Sequence, residues 1–440
     1  MKCFFELLDQ KGLTSFKIRY NYKTDIFRFE LAKEWEKETD FSLYPSAFSE
    51  RDILIQNTVS YNTEECVKII SEAEMMEYLQ EIMQLIRKGK HSGMEMYYNK
   101  KKKIKFVLYE HSTKRGMMNK SQATVCGGIR RHPQNLIEKE VLEDGLNLSR
   151  AMSFKNYAAG IPFGGCKATV QMEGNELYDR ETLGFLGFVI DRSRCLVAPD
   201  MNLPAMLADL LKEERITMQC VGGENAKIGS TGKPTAYGVY LSMKEAVYHK
   251  EGTKSLQGKT IALMGLGAVG KNLAEYLLEE DVTLYIADID EEKVRKFIQN
   301  HSQKRIFLTK NEELIEMKAD ILSLCAAGGI INENNIPRLN CRYIWGSANN
   351  QLRAASPDEE LLLAQKLMDR DILYQAEWWH NTAGVICMAE EYLYDGSAET
   401  LFKKIERIIP TATRENLQEA ARLEITPTAC CYKKSEAAIY

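Results

Sequence analysis

The sequence predicts an α/β protein of more than one domain, one of which is a doubly wound parallel sheet. Three observations lead to this prediction. The chain of 440 residues is longer than one typical domain. Strand-like and helical segments alternate over residues 258–374, which is typical of a parallel sheet with helices on both faces. A glycine-rich turn of the pattern G-x-G-x-x-G follows the first of these strands, as in sheets that bind a dinucleotide.

The alternating segments supply the elements of this sheet. Apolar runs predict strands over residues 260–264, 282–287, 321–325 and 343–345. Helices are predicted between them, and the helix that follows the glycine-rich turn is predicted over residues 272–280.

Each glycine of the turn has a separate task. Gly265 allows the tight turn, Gly267 lets the backbone approach a pyrophosphate, and Gly270 lets the next helix pack against the strand. Asp288 ends the second strand, 23 residues after Gly265, where an acid binds the ribose hydroxyls of NAD and repels the 2′-phosphate of NADP. The cofactor is therefore predicted to be NAD rather than NADP. The predicted contacts are Gly265, Gly267, Ala268, Val269, Gly270, Asp288 and Ala326.

Composition and charge argue against several classes of protein. With 45% hydrophobic and 27% charged residues, the chain has the composition of an ordinary globular protein. A net charge of −4 gives no electrostatic reason to expect a nucleic-acid partner, and no apolar stretch approaches the roughly 20 residues that cross a bilayer. The 11 cysteines form no C-x-x-C pair, and no signal peptide is recognisable. We therefore expect a reduced, cytoplasmic protein without a metal site or a membrane partner.

The region before the alternating segments carries a second set of functional candidates. An apolar stripe at helical spacing runs from Val141 to Met152 and ends in Lys155. A glycine-rich turn over residues 160–167 brings backbone close to a neighbouring group and ends in Lys167. These patterns predict that two lysines, 12 residues apart in the chain, lie near one another.

The chemistry of this region fits the oxidation of an amine to a ketone. The candidates are Gly127, Gly128, Lys155, Lys167 and Asp200. The reaction requires a cation for the substrate carboxylate, a base that activates water, and an acid that moves protons. A lysine acts as the base where burial or a neighbouring cation lowers its pKa. Two adjacent lysines assist one another in this way, and the one whose pKa is unshifted holds the anionic substrate.

These features occur together in a known family. Over residues 96–440 the chain resembles the glutamate/leucine/phenylalanine/valine dehydrogenase family, and its motifs are most similar to those of the leucine and phenylalanine members. The stretches that carry the resemblance, in matching order and spacing, are residues 127–130, 152–155, 164–167, 198–200, 234–239, 265–270 and 346–352.

The resemblance implies an activity and a division of labour. Lys155 resembles the lysine that binds the substrate carboxylate, Lys167 the lysine that activates water, and Asp200 the aspartate that shuttles protons. Thr235 and Asn350 resemble residues that orient the nicotinamide and the bound substrate. The implied reaction is NAD-dependent deamination of an amino acid to its 2-oxo acid and ammonia, or the reverse. Members of the family are oligomers, so a homo-oligomer is expected.

The family's fold implies two domains, an α/β substrate domain and a Rossmann NAD-binding domain, with the active site in the cleft between them. We predict the substrate domain over residues 96–233 and the NAD-binding domain over residues 234–389. Helices over residues 390–440 are expected to return to the substrate domain. Residues 1–95 lie outside the resemblance and are interpreted as an N-terminal extension used for packing or oligomerisation.

The side chain of the substrate is predicted to be apolar. By resemblance its pocket comprises Cys126, Met152, Val385 and Met388, none of which carries a charge. A glutamate-type pocket needs a cation for the second carboxylate, so leucine, valine or phenylalanine is favoured. The predicted substrate-binding residues are Gly127, Gly128, Met152, Lys155, Asn350, Val385 and Met388.

Two alternatives stay open at this point. The chain is longer than the leucine-type members just before Gly127, and a cation of this insertion (Lys114, Arg115 or Lys120) would suit a glutamate side chain. The other alternative is a catalytically silent, NAD-binding regulatory protein, which the intact lysine pair and aspartate disfavour.

The segment over residues 377–384 also departs from the family pattern. Its tryptophans, Trp378 and Trp379, are interpreted as packing residues rather than substrate contacts. A lone histidine is more often structural than functional, so His380 is interpreted as structural.

Overall fold

A computed structural model of the chain describes residues 3–46, 58–118 and 121–440. Within these ranges the strands form one sheet of eight strands before residue 200 and one of six strands after residue 259. Separate apolar clusters lie on the two faces of each sheet, under the helices that cover them. The predicted α/β fold class is therefore confirmed.

The eight-stranded sheet combines antiparallel and parallel pairs. Its strands are Ser15–Asn21 (β1), Ile26–Lys33 (β2), Val59–Tyr61 (β3), Gly93–Asn99 (β4), Ile104–Ser112 (β5), Val125–His132 (β6), Gly164–Gln171 (β7) and Cys195–Pro199 (β8). Their order across the sheet is β3-β2-β1-β4-β5-β7-β6-β8. Neighbours are antiparallel as far as β7, whereas β6 runs parallel to both β7 and β8.

Six helices of the described residues pack on this sheet. They are Phe4–Lys11 (α1), Thr63–Glu72 (α2), Met76–Gly89 (α3), Glu138–Ala158 (α4), Arg180–Arg192 (α5) and Met206–Glu213 (α6). Successive side chains of a strand point to opposite faces, so Phe16 and Ile18 of β1 join the apolar layer under α1 to α4. The opposite layer, under α5 and α6, contains Phe106 of β5 and Val170 of β7.

The first 95 residues share a sheet with the predicted substrate domain. Strand β1 pairs with β4 in an antiparallel ladder, so β1 to β3 extend the sheet that carries β6 and β7. The limit predicted at residue 95 falls inside β4, and α2 and α3 are separate helices with Glu74 between them at a φ of 54°. The sequence pattern indicates which face of a strand is buried but not which strand lies beside it, so this continuity was missed.

The six-stranded sheet is parallel throughout. Its strands are Thr260–Met264 (β9), Thr283–Ala287 (β10), Arg305–Leu308 (β11), Ile321–Leu324 (β12), Tyr343–Ile344 (β13) and Leu373–Tyr374 (β14). Their order is β11-β10-β9-β12-β13-β14, the strand order 3-2-1-4-5-6 of the doubly wound dinucleotide-binding fold. The predicted Rossmann domain is thus present. Strands β11 and β14 were not predicted because they are short and carry no extended apolar run.

The remaining helices surround this sheet and connect it to the first. They are Gly232–Glu251 (α7), Ala268–Leu278 (α8), Glu291–Asn300 (α9), Asn311–Glu316 (α10), Pro357–Met368 (α11), Ala383–Tyr394 (α12), Ala398–Leu423 (α13) and Pro427–Ile439 (α14). Helix α13 packs against α7, and α14 packs against α4 of the substrate domain, where the rings of Phe154 and Tyr432 are 5.7 Å apart. The domain limits predicted at residues 234 and 390 fall inside α7 and α12.

Short 3-10 helices complete the described structure, at Phe41–Leu43, Gly116–Met118, Gly174–Tyr178, Ile336–Arg338 and Glu377–Trp379. Of the helices that the structure describes, none is both long and apolar enough to cross a membrane.

Candidate active site

A cavity of about 190 Å³ lies between the two domains. Strands β6 and β7 and helix α4 form one wall, and the segment after β13 together with α12 forms the other. The catalytic and substrate-binding residues that the sequence predicts all line it: Gly127, Gly128, Met152, Lys155, Lys167, Asp200, Asn350, Val385 and Met388. Sequence positions more than 250 residues apart therefore meet at one place.

Two glycines of β6 let the side chain of Lys167 lie close to the sheet. A Cβ atom built at Gly128 would lie 2.8 Å from Nζ of Lys167, and one built at Gly127 would lie 1.9 Å from the carbonyl oxygen of Cys166. Because β6 and β7 are neighbouring parallel strands, any side chain at these positions would push Lys167 out of place. The packing of the protein, rather than the substrate, explains this pair of glycines.

Lys167 belongs to a buried ionic network. Lys167 is 5% exposed, and its Nζ donates to the carboxylate of Asp200. Arg130 binds the same carboxylate, at 3.2 Å from Nη2 to Oδ2, and reaches Asp144 with Nη1 at 3.0 Å. Burial acts to raise the pKa of Asp200, but the cations of Lys167 and Arg130 outweigh it and hold that pKa below its usual value. Asp200 is therefore an ionised carboxylate that can accept a proton.

Lys155 is less enclosed and has a different partner. It is half-buried on the last turn of α4, and its Nζ donates to Oδ1 of Asn349 at 3.3 Å. Burial lowers the pKa of Lys155 to about 8; the carboxylate of Glu377 opposes this shift, and the cation of Lys167 adds to it. From the sequence we expected a lowered pKa for the base, whereas in the structure the lowered pKa belongs to Lys155, the lysine expected to hold the carboxylate.

The part of the cavity away from the lysines is apolar. Met152, Val385 and Met388 line it, and Cys126 lies behind them, fully buried, with its Sγ 3.9 Å from Sδ of Met388. Cys126 therefore supports the pocket wall instead of facing the cavity. Methionine side chains deform readily, so this wall can adapt to apolar groups of different shape.

The insertion before Gly127 does not supply a cation to the cavity in the described residues. Lys114 and Arg115 are absent from its lining, and the guanidinium of Arg115 instead donates to the carbonyl of Ile161 at 3.1 Å. Lys120 lies outside the described residues. The third cation that does line the cavity is Arg130, and two carboxylates already bind it.

Several lining residues were not among the sequence-based candidates. They include Arg130, Leu148, Ala151, Thr231, Asn349, Glu377, Trp378 and Asn381. Glu377 and Asn381 belong to the segment recognised as a departure from the family pattern, which was the available signal. Trp378 packs as predicted, 5.3 Å from the ring of Tyr432, but it also lines the cavity.

His380 has a structural environment. Its ring stacks on Trp345 at 4.7 Å, and its Nε2 lies 3.0 Å from the carbonyl oxygen of Gly346. Burial lowers the pKa of His380 to about 4, and the residue does not line the cavity.

The nucleotide turn has the geometry that its glycines predict. Gly265 has a φ of 96°, in the region that favours glycine, and a Cβ at Gly270 would lie 2.0 Å from the carbonyl oxygen of Gly265. Gly267 precedes α8 and differs from both, because a Cβ there would meet no atom within 4 Å. No side chain caps the first amides of α8, so the turn leaves open space and free donors for a pyrophosphate.

The other predicted cofactor contacts lie around this turn. Asp288 follows β10 and accepts from the amide of Leu266 at 2.6 Å, so its carboxylate is fixed beside the glycines. A Cβ at Gly265 would lie 2.8 Å from Cβ of Ala326, which marks the opposite side of the turn. Ala268 is exposed at the start of α8, while Val269 packs against the apolar core.

Thr235 lies between the turn and the cavity. It is in the first turn of α7, and a Cβ at Gly384, a cavity-lining position, would lie 3.8 Å from Oγ1 of Thr235. A Cβ at Gly232, also on α7, would lie 3.3 Å from Ala268 at the start of α8. Together these residues fit a dinucleotide that extends from the glycine turn toward the lysines.

Comparison with known proteins finds relatives of both domains. Residues 110–220 match a family described as Glu/Leu/Phe/Val dehydrogenase, dimerisation domain, and residues 260–333 match one described as NAD binding domain of 6-phosphogluconate dehydrogenase. Leucine dehydrogenase of Geobacillus stearothermophilus is 33% identical over 317 residues, which cover 70% of this chain and 80% of that protein. L-tryptophan dehydrogenase of Nostoc punctiforme is 32% identical over 335 residues, covering 75% and 88%.

Solved structures agree with the sequence matches. The crystal structure of L-tryptophan dehydrogenase from Nostoc punctiforme covers 81% of this chain and 98% of its own, with a TM-score of 0.66 at 28% identity. A hetero-hexameric glutamate dehydrogenase from Thermus thermophilus (Leu bound form) covers 76% and 84%, with a TM-score of 0.58 at 17% identity. The second similarity is one of fold alone.

Proposed function

Because the chain belongs to the Glu/Leu/Phe/Val dehydrogenase family, we propose that it deaminates an apolar L-amino acid to its 2-oxo acid and ammonia, or catalyses the reverse reductive amination. The family membership makes the chain an NAD-dependent oxidoreductase, an amino-acid dehydrogenase. The finer assignment concerns the substrate and the roles of individual residues. Leucine, valine and phenylalanine are amino acids of the apolar class that we propose as substrates.

One observation supports this proposal above the others: a single cavity joins a charged end to an apolar end. Lys155, Lys167 and Asp200 line the first, where an α-amino acid presents its carboxylate and amine. Met152 and Met388 belong to the second, where no charged side chain among the described residues could bind a second carboxylate. A substrate with an apolar side chain matches both ends.

The chain's own residues divide the chemistry. Lys155 binds the substrate carboxylate and thereby fixes the Cα atom. Once the amine has been oxidised to an imine, Lys167 takes a proton from the water that adds to it. Asp200, hydrogen-bonded to Lys167, carries protons to and from the departing amine. Thr235 and Asn350 orient the reacting groups. Per turnover, amino acid, NAD⁺ and water become 2-oxo acid, NADH, ammonium and one proton.

The dinucleotide is held by the glycine turn and Asp288. When bound, NAD accepts the hydride that leaves the substrate Cα. Asp288, fixed through its bond to the amide of Leu266, favours the free ribose hydroxyl of NAD over the phosphate of NADP.

The test is a panel of amino acids and 2-oxo acids assayed with NAD and with NADP in both directions. We expect the highest kcat/KM with a branched or aromatic apolar substrate and NAD. Preference for glutamate would overturn the substrate assignment, and absence of turnover with every amino acid would overturn the proposed activity. The same preparation, measured by light scattering, tests the expected homo-oligomer.

A further inference from the structure

We propose that Glu377 is a positioning residue of this site, whose buried carboxylate keeps Lys155 cationic and holds the Asn349–Asn350 turn against it. The inference rests on the proposed function, in which Lys155 binds the substrate carboxylate. Glu377 itself was not among the candidates that the sequence suggested.

Glu377 is a buried carboxylate, and burial of a carboxylate costs free energy unless hydrogen bonds or a cation stabilise it. It begins the 3-10 helix after β14, is 2% exposed, and lines the active-site cavity. Its Oε1 accepts from the amide of Asn350 at 2.7 Å, and its Oε2 accepts from the hydroxyl of Tyr374 at 3.0 Å. Each oxygen thus has a donor from the protein, which satisfies the buried group without a cation.

The first of these bonds fixes the turn that contacts Lys155. Asn350 has a φ of 52°, in the left-handed region that asparagine adopts more readily than most residues other than glycine. The neighbouring side chain of Asn349 accepts from Lys155 at 3.3 Å and from Asn381 at 3.0 Å. By anchoring the amide of Asn350, Glu377 sets the position of the oxygen to which Lys155 donates.

The second effect is electrostatic. Within the described residues Glu377 forms no ion pair, and its charge is the largest influence that opposes the burial of Lys155. The uncompensated carboxylate therefore acts on the cavity. The charge of Glu377 also acts on Glu360. Burial, and after it the charge of Glu377, raise the pKa of Glu360 to about 7.

Among the other titratable groups around the pair, Asp200 also opposes the lowered pKa of Lys155, but less strongly than Glu377 does. Those on the substrate-domain side are Lys167, Asp200 and Arg150, and those on the other side are Glu360, Tyr374, His380 and Tyr432. Asp200 is already bound by Lys167 and Arg130, and His380 is neutral at pH 7 because burial lowers its pKa to about 4.

The consequence for function is a matter of protonation. Only the cationic form of Lys155 attracts a carboxylate, and burial favours the neutral form. Without the charge of Glu377, more of the enzyme would hold an uncharged Lys155 at neutral pH, and the substrate would bind to a smaller fraction of the molecules.

The test measures Lys155 directly and does not require turnover. In the full chain, the rate at which acetic anhydride acetylates Lys155 is followed by mass spectrometry between pH 6 and pH 10. Neutral amines react, so the rate rises through the pKa of the lysine. In Glu377→Gln and Glu377→Ala we expect the midpoint to fall by about one pH unit, the scale of a Coulomb interaction between neighbouring charges, and labelling at pH 7 to be about fivefold faster.

Two matched variants separate charge from structure. Glu377→Asp retains the carboxylate, and Tyr374→Phe removes one of its hydrogen bonds while leaving its charge, so both should keep the midpoint near that of the unaltered protein. Both neutral variants, Glu377→Gln and Glu377→Ala, are made because the test needs only one of them to fold. Circular dichroism and NAD binding show whether each variant is folded. An unchanged midpoint in either folded neutral variant would overturn the proposal.

A second readout connects the effect to catalysis. In reductive amination, the neutral variants should raise KM for the 2-oxo acid several-fold at pH 8 with a smaller change in kcat, and Glu377→Asp should restore KM. A shifted midpoint without any turnover would count against the proposed function and leave the role of Glu377 intact. Turnover with an unshifted midpoint would overturn the role of Glu377 and leave the proposed function intact.

Discussion

The two domains build their parts of the site in different ways. The nucleotide turn consists of consecutive residues, 265–270, and no side chain caps the first backbone amides of the helix that begins there. The catalytic cavity instead collects side chains from β6, α4, β7, the end of β8, the segment after β13 and α12. One half is a local conformation, and the other exists only after distant elements have packed.

This difference also determines how each half fails. A side-chain substitution cannot remove a backbone N–H donor. The nucleotide turn is therefore tested by adding a Cβ atom at one of its glycines. The catalytic half is a set of individual charges, and each can be deleted or titrated. The following changes separate the halves, from the largest expected effect to the smallest.

Replacing Lys167 by alanine should disable the catalytic half alone. Loss of the water-activating base should lower kcat by about 10²–10⁴-fold, the usual contribution of a general base. The Kd for NADH, measured by fluorescence titration, should change less than about twofold, because the nucleotide turn does not contact Lys167. Lys296→Ala, an exposed lysine on α9, is the matched control. Surviving turnover would show that Lys167 is not the base.

Two glycine substitutions should disable the nucleotide half by different routes. A Cβ at Gly270 meets the backbone of Gly265 at 2.0 Å, so Gly270→Ala should destabilise the free protein by about 1–3 kcal/mol as well as weaken NAD binding. Gly267→Ala meets nothing within 4 Å and should leave the thermal unfolding midpoint unchanged while weakening NAD binding about tenfold or more, because the pyrophosphate approaches there. Equal unfolding midpoints for both variants would contradict this distinction.

The pH dependence of substrate binding should report the charged end. The pKa of Lys155 is about 8, and its cation is present below that pH and lost above it. KM for an apolar 2-oxo acid should therefore be nearly constant below pH 7 and rise about tenfold per pH unit well above pH 8, with a slope of one proton. The Kd for NADH should show no such dependence over the same range. A KM that falls above pH 8 would contradict the assignment of Lys155 as the residue that binds the substrate carboxylate.

Enlarging the apolar end should have the smallest effect. Met388→Ala removes a side chain that lines the cavity, so the ratio of kcat/KM for a larger to a smaller apolar substrate should increase by about tenfold, as expected for a few methylene groups in a pocket. KM for NAD should stay constant. Met368→Ala, at a position 39% exposed, is the control. An unchanged ratio would mean that Met388 does not contact the substrate side chain.

Much of this site could be predicted because its residues occur in recognisable local patterns. The glycine turn, Asp288 and the lysines each stand in a stretch whose order and spacing identify the family. Asn349 stands in one of these stretches but Glu377 does not, and the importance of both depends on which groups they face across the cavity. For Cys126 the family motif was misleading. Its position predicted a residue that faces the pocket, but its buried side chain lies behind the pocket wall, against Met388.

The N-terminal region shows the same limit at the level of the fold. Its strands could be recognised from their alternation, but their pairing with β4 joins segments that are 70 or more residues apart. Burial patterns identify a face and not a neighbour.

By itself, the amino-acid sequence determined the α/β class, the Rossmann domain, NAD as the cofactor and the family, because these depend on local periodicity and on glycines with special backbone requirements. Only the tertiary structure decided which charges face one another. It paired Asp200 with Lys167 and Arg130. It left Lys155 beside Asn349, where burial lowers the pKa of the lysine and the charge of Glu377 opposes that shift. Burial and the distance between charges set that pKa, and both exist only in the folded chain.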